Sequence, residues 1–200
     1  MDFTDVLAAR RMVRSYKSDP VDAAALERVL SAGISGPSAG NAQGVRLAVV
    51  EDGTTRAKIA AAADEASFVS RGFEPWLSIA PVHIVVGVDV SAYEQRYAEL
   101  DKEESAAVED DGEWPIPWWW IDAGAALMAI LLAAQNEGLA AGFLGGHACP
   151  EVAHIVDFEP DVAFVGIVTV GHEATVAQGS SAMRGRMPLS KGVRRIPPTS

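Results

Sequence analysis

Two hydrophobic rhythms alternate along this chain. In residues 22–35, Leu26, Val29, Leu30, Ala32 and Gly33 recur at the three-to-four spacing of a helix with one inward face. A shorter helical pattern opens the chain, with Thr4 as the expected N-cap, Asp5 in the first turn, and fraying at residues 10–14. Residues 33–44, GISGPSAGNAQG, carry too much Gly, Pro, Ser and Asn for either rhythm and predict an ordered loop.

Strand patterns follow. VRLAVVED, from Val45, predicts a strand ending in an Asp52-Gly53 turn, and residues 54–70 predict one Ala-rich helix. PVHIVVGVDV, residues 81–90, is nearly continuous in β-branched residues and suits a strand covered on both faces. GLAAGFLGG and DVAFVGIVTVG predict two more strands. Between them, residues 122–137 predict a helix buried on all sides and stopped by Gly138 in the C′ position. Its apolar run, residues 123–134, is too short to span a bilayer, so no membrane partner is expected.

Strands and helices interleave without repeat or linker, which predicts one domain over residues 1–200, an α+β or α/β sandwich. The 200 residues, 49% of them hydrophobic, suffice for one sizeable core. A formal charge of −11 argues against nucleic acid as a partner, because duplex binding needs many cations on phosphate. The lone Cys149 excludes an intrachain disulfide, cannot by itself build a zinc site, and fits a reducing cytoplasm. Residues 1–14 carry charges throughout, so no signal peptide is expected.

The basic residues are unevenly spread. Arg10, Arg11, Arg14 and Lys17 at one end, with Arg184, Arg186, Lys191, Arg194 and Arg195 at the other, make nine of the sixteen. Residues four apart share a face in a helix and in an extended segment, so Arg10 and Arg14 are expected to point together and Arg11 elsewhere. Arg184-Gly185-Arg186 likewise sets two guanidinium groups on one side. Such pairs suit the oxygens of one phosphate; equally, they are solvated charges at the chain ends. There is no Walker loop and no G-x-G-x-x-G after a strand to hold a phosphate otherwise.

Three segments in order, RRMVRSYKSDPV (10–21), PSAGNAQ (37–43) and RGRMPLSKGV (184–193), together with the strand GLAAGFLGG (138–146), resemble the FMN-dependent nitroreductase family. The resemblance implies a three-layer α-β-α sandwich, an intertwined homodimer, and FMN bound at its interface. It implies phosphate ligands at Arg10, Arg14, Arg184 and Arg186, with Arg11 beside them. Asn41 resembles the contact to the polar edge of the flavin ring, with Pro37, Ser38 and Gln43 around it, while Gly145 and Gly146 would turn backbone N–H groups toward flavin N5 and O4. Two positions depart from the pattern: Met12 stands where a hydroxyl residue is more common, and Gly44-Val45 where Pro-Trp is common. The implied activity is hydride transfer from NADH or NADPH through FMN to an electron-poor planar small molecule such as a nitroaromatic or quinone. The same fold also serves non-catalytic FMN or deazaflavin carriers and flavin-dependent biosynthetic dehydrogenases.

Flavin chemistry needs an apolar slot, donors on the ring's polar edge and cations at the phosphate, but no protein acid in catalysis. That agrees with the sparse remaining candidates. Residues 91–120 read as an acidic, Trp-rich, lid-like insertion. Trp118, Trp119 and Trp120, stiffened by Pro115 and Pro117, either stack on a planar substrate or pack at a dimer seam. The acids among residues 93–113, nine against two bases, read as a solvated face. His147 with Cys149 lacks a third orienting group for nucleophilic catalysis, His83 reads as a core histidine, and no His/Cys/Asp/Glu cluster has metal spacing.

Overall fold

The structure, a computed structural model, describes residues 2–102, 105, 107, 113–174 and 185–196. Four antiparallel strands form its centre: β1 (Val45–Val50), β2 (Val82–Asp89), β3 (Ala140–Gly145) and β4 (Val162–Gly171), in the order β1-β2-β4-β3. Alternation along each strand divides the core. Leu47, Ile84, Val86, Val168 and Val170 meet α2 (Ala23–Ile34) and α6 (Trp118–Asn136) on one face. Ala48, Val50, Val85 and Ile167 meet α3 (Gly53–Ala62) and α7 (Val152–Ile155) on the other. This is the expected three-layer α-β-α sandwich, with β2 and β4 buried inside it as its continuous β-branched run required.

Several local expectations are corrected. The first helix, α1 (Phe3–Ala9), is capped by Asp2 and not by Thr4: the Asp2 carboxylate accepts from the backbone N–H of Thr4 and Asp5. Asp52 is the N-cap of α3, accepting from Thr55 N–H at 2.7 Å, so Asp52-Gly53 starts a helix instead of making a turn. Residues 54–70 are two helices, α3 and α4 (Glu65–Ser70), parted at Asp64 in the left-handed region with φ 51°. The break turns the buried Glu65 carboxylate toward residues 76–78, where it accepts from the N–H groups of Trp76 (2.7 Å), Leu77 (2.6 Å) and Ser78 (3.3 Å). The segment expected to be a lid-like insertion opens with a helix, α5 (Ser91–Tyr97).

Helix α6 begins at Trp118, four residues earlier than expected, and ends where Gly138 adopts φ 73°. At 19 residues it is long and apolar enough by composition to cross a membrane. It instead packs one side on α2 and the sheet, burying Ala123, Ala126, Ile130, Leu131 and Ala134. The opposite side corrects the expectation of burial all round: in the single chain Trp120, Ile121 and Met128 are 47%, 52% and 39% exposed.

Candidate functional site

The arginine segment is fixed by the edge of β3. Helix α1 ends at Ala9, Arg10 turns to φ −58°, ψ 126°, and the chain then runs extended. Val13 N–H donates to Ala141 O at 2.9 Å and Lys17 N–H to His172 O at 2.8 Å. The buried Tyr16 hydroxyl bonds Thr169 Oγ1 at 2.8 Å and donates to Val13 O at 3.0 Å, and burial raises its pKa. Gly142 allows this approach, since a Cβ there would collide with the Val13 carbonyl.

The three arginines diverge. Arg10 lines a cavity of about 440 Å³ together with Arg11, Leu131, Gln135, Leu139 and Glu173. Its Nη1 is buried and meets no hydrogen-bond partner among the described residues. Arg11 is taken, its Nη2 lying 2.6 Å from Glu173 Oε2. The Arg14 guanidinium stacks on Trp76, 5.3 Å from the ring centroid. Trp76 belongs to the α3/α7 side of the core and Leu131 to the α6 side, so Arg10 and Arg14 do not point together as the four-residue spacing suggested. The reason is that Arg10 is still the cap of a helix, whereas Arg14 is in extended chain. Glu173 is paired with Arg11, and Arg10 lines the same cavity with one guanidinium nitrogen lacking a partner among the described residues. Sequence spacing gave no sign of this ion pair, whose partners lie 162 residues apart.

The PSAGNAQ loop is tightly bent. Gly40, Asn41 and Gln43 all have positive φ, at 60°, 61° and 52°. Ser38 Oγ accepts from Gln43 N–H at 2.9 Å, and Asn41 and Gln43 are exposed. Asp122, the one acid in α6, accepts on Oδ2 from Ala39 N–H at 2.9 Å and from the Tyr93 hydroxyl at 2.8 Å. The pKa of Tyr93 is raised by burial and by this carboxylate. Arg96 Nε donates to Gly40 O at 2.7 Å. A Cβ on Gly44 would run into the Tyr93 ring, so Gly44 is the residue that admits Tyr93 beneath the loop. Asp122 and Arg96 were missed from sequence; a lone acid within an apolar helix was the available signal for Asp122.

Gly145 closes β3 and Gly146 is buried in the turn after it. A Cβ on Gly145 would meet His147 Nδ1 at 2.9 Å, and one on Gly146 would meet Phe164, so this strand end is shaped for bare backbone. Cys149 is buried, which pushes its thiol up to about 11 and makes it an inert core residue. His83 is also a core residue, with Nε2 2.7 Å from Leu77 O. No metal-binding group of three or more His, Cys, Asp or Glu occurs among the described residues. Pro37 and Arg186 are exposed; Arg184 lies outside the described residues. Trp118 and Trp119 sit in the first turn of α6, packed with Tyr93 and Ala123, and Trp114 stacks edge-on against both Trp119 and Tyr97; Trp120 is exposed.

The sequence model of the nitroreductase family matches residues 7–172. The chain belongs to the nitroreductase family. The matched stretch contains the arginine segment, the PSAGNAQ loop and the Gly145-Gly146 strand end, but stops short of the RGR tail. Among curated proteins the chain is 27% identical over 185 residues to an FMN reductase [NAD(P)H] of Bacillus subtilis, covering 91% of this chain and 68% of that one. Solved structures share the fold. A Desulfovibrio desulfuricans protein described as a nitroreductase and solved in complex with FMN has a TM-score of 0.70 at 23% identity, covering 100% of this chain and 99% of its own. The NADPH:FMN oxidoreductase of Vibrio harveyi, complexed with NAD+, has a TM-score of 0.72 at 18% identity, covering 99% and 78%.

Proposed function

We propose that this chain is a cytoplasmic, homodimeric FMN-dependent oxidoreductase that passes hydride from NADH or NADPH to an electron-poor planar acceptor such as a nitroaromatic or quinone. The observation that carries the reading is the buried Arg10 Nη1, which has no partner among the described residues and belongs to a residue lining an open cavity at the β3 edge. A buried guanidinium donor without an acceptor is costly unless a ligand supplies one, and a phosphate oxygen is the acceptor it matches best. FMN, when bound, would supply the centre that takes and gives the hydride. Arg10 would hold its phosphate, with the tail arginines Arg184 and Arg186 as further ligands, whereas Arg14 is turned away onto Trp76. Asn41, with Pro37, Ser38 and Gln43, would meet the polar edge of the ring. Gly145 and Gly146 would admit the ring against bare backbone, where a side chain would intrude.

A second copy is needed to complete this site. Helix α6 crosses the sheet from the PSAGNAQ loop, held by Asp122, to the Arg10 cavity, lined by Gln135. Those two residues are about 20 Å apart at 1.5 Å per helical residue. β1, which follows the loop, and β3 are opposite edges of the sheet, about 14 Å apart over three strand spacings. Pairing through the exposed side of α6 would bring one copy's loop toward the other's β3, so that one flavin would meet Asn41 of one copy and Gly145 of the other. The same pairing would cover Trp120, Ile121 and Met128. The test is steady-state oxidation of NADH and NADPH by FMN-loaded protein with a quinone and with a nitroaromatic in turn. Turnover with at least one acceptor above the oxygen background is expected, and none with either would remove the acceptor class.

A further inference from the structure

Residues 38–43 are tightly bent. Gly40 and Asn41 suit the left-handed region they occupy, whereas Gln43, also there, loses roughly 1 kcal/mol or more. Two side chains from outside the loop hold it there. Asp122, buried at the start of α6, uses one carboxylate oxygen for both Ala39 N–H and the Tyr93 hydroxyl. Arg96, on α5, fixes Gly40 O through Nε, and its two terminal nitrogens are locked on Asp101 at 2.7 Å each. Gly40 itself packs on the Tyr97 ring, which stacks on Trp114. The loop is thus bent before any ligand arrives, and its exposed side chains are Asn41 and Gln43.

We propose that Asp122 and Arg96 are positioning residues that hold residues 38–43 bent so that Asn41 meets the polar edge of a flavin held by a second copy, and thereby favour the reduced over the oxidised cofactor. The inference rests on the oxidoreductase reading above. Reduction places negative charge on that edge of the ring, so a fixed donor stabilises it in a way that a wandering one does not. The two braces act on different atoms of one loop, so loss of either loosens it. Their location also ties the loop to α6, the helix through which the second copy would dock.

The test compares wild type with Asp122→Ala, Asp122→Asn and Arg96→Ala. Amide hydrogen exchange over residues 38–43 is measured in cofactor-free protein, and the two-electron midpoint potential of bound FMN is measured in loaded protein. Asp122→Ala and Arg96→Ala should each exchange at least about tenfold faster over residues 38–43. Each should weaken the preference for reduced flavin about tenfold, a shift of about 30 mV toward more negative potential. Asp122→Asn, which keeps an acceptor oxygen, should recover most of both. Arg96 is partly exposed, so its variant keeps the test alive should Asp122→Ala fail to fold. Faster exchange with an unmoved potential would overturn the redox role while sparing the oxidoreductase reading. Unmoved exchange would overturn the bracing itself, and wild-type protein that takes up no FMN would sink both readings.

Discussion

Arg10 and Arg11 are neighbours in sequence with opposite prospects, and substituting them separates a ligand-binding cation from a structural one. Arg10 has a buried guanidinium nitrogen without a partner among the described residues, whereas Arg11 is engaged by Glu173 at 2.6 Å with 41% and 21% of the two side chains exposed. One charge-assisted contact to phosphate contributes about 1.5–3 kcal/mol net, so Arg10→Ala should weaken FMN binding about tenfold to a hundredfold. Arg11→Ala alone would leave the Glu173 charge uncompensated at the same cavity, so the pair is best removed together. An exposed ion pair contributes only about 0.2–1 kcal/mol, and Arg11→Ala/Glu173→Ala should change affinity by less than about fivefold. Titration of FMN into cofactor-free protein, followed by quenching of flavin fluorescence, reads both. Urea unfolding of the same cofactor-free samples supplies a second signature. Removing a buried donor that has no acceptor among the described residues should leave the Arg10→Ala fold as stable as wild type or more so. Unchanged affinity in Arg10→Ala, or a larger loss in the pair variant, would refute the assignment of the cavity to phosphate.

Other consequences concern folding and assembly. Burial lowers the His83 pKa to about 4, with Nε2 bonded to Leu77 O and Nδ1 without a partner among the described residues. The unfolded chain takes up this proton near the usual value of about 6.5, so the stabilisation is complete above that pH and is lost as pH falls toward 4. Urea unfolding should show about 2 kcal/mol less stability at pH 5 than at pH 7 from this group, and His83→Gln should flatten that part of the profile. Glu65→Ala removes the acceptor of the Trp76 and Leu77 N–H groups and should cost about 2–6 kcal/mol, with Glu65→Gln retaining much of it; equal stability of the three proteins would contradict the capping role. Ile121→Lys places a charge on the exposed apolar side of α6 and should yield a folded monomer with little bound FMN by sedimentation, whereas an intact dimer would move the interface elsewhere.

The layers of the fold were legible because periodicity dictates burial. β2 reads as a strand covered on both faces, and α2 shows one apolar side. The break at Asp64 was not legible, since the Ala-rich run has no glycine or proline there and the contacts that accompany it join Glu65 to backbone eleven to thirteen residues on. Helix α6 reads as apolar all round, yet the single chain leaves Trp120, Ile121 and Met128 exposed, because composition does not distinguish an apolar face that the chain covers from one it leaves open. Of the candidate site, the segments were visible and their grouping was not. The Arg11–Glu173 pair and the Asp122–Ala39 bond span 162 and 83 residues, distances over which no local pattern carries information. The tryptophans show the same limit, with Trp118 and Trp119 drawn into packing around Tyr93 by the turn of helix they occupy.

The central claim is that the bent loop, the Arg10 cavity and the glycine strand end together hold a flavin that a nicotinamide can reduce. An absorption spectrum of the purified protein with one equivalent of FMN, recorded anaerobically before and after adding NADH and then NADPH, addresses it most directly. A protein-bound flavin spectrum that bleaches with at least one donor is the predicted result. A bound flavin that neither donor bleaches would contradict the reductase assignment, and failure to retain FMN would contradict the site.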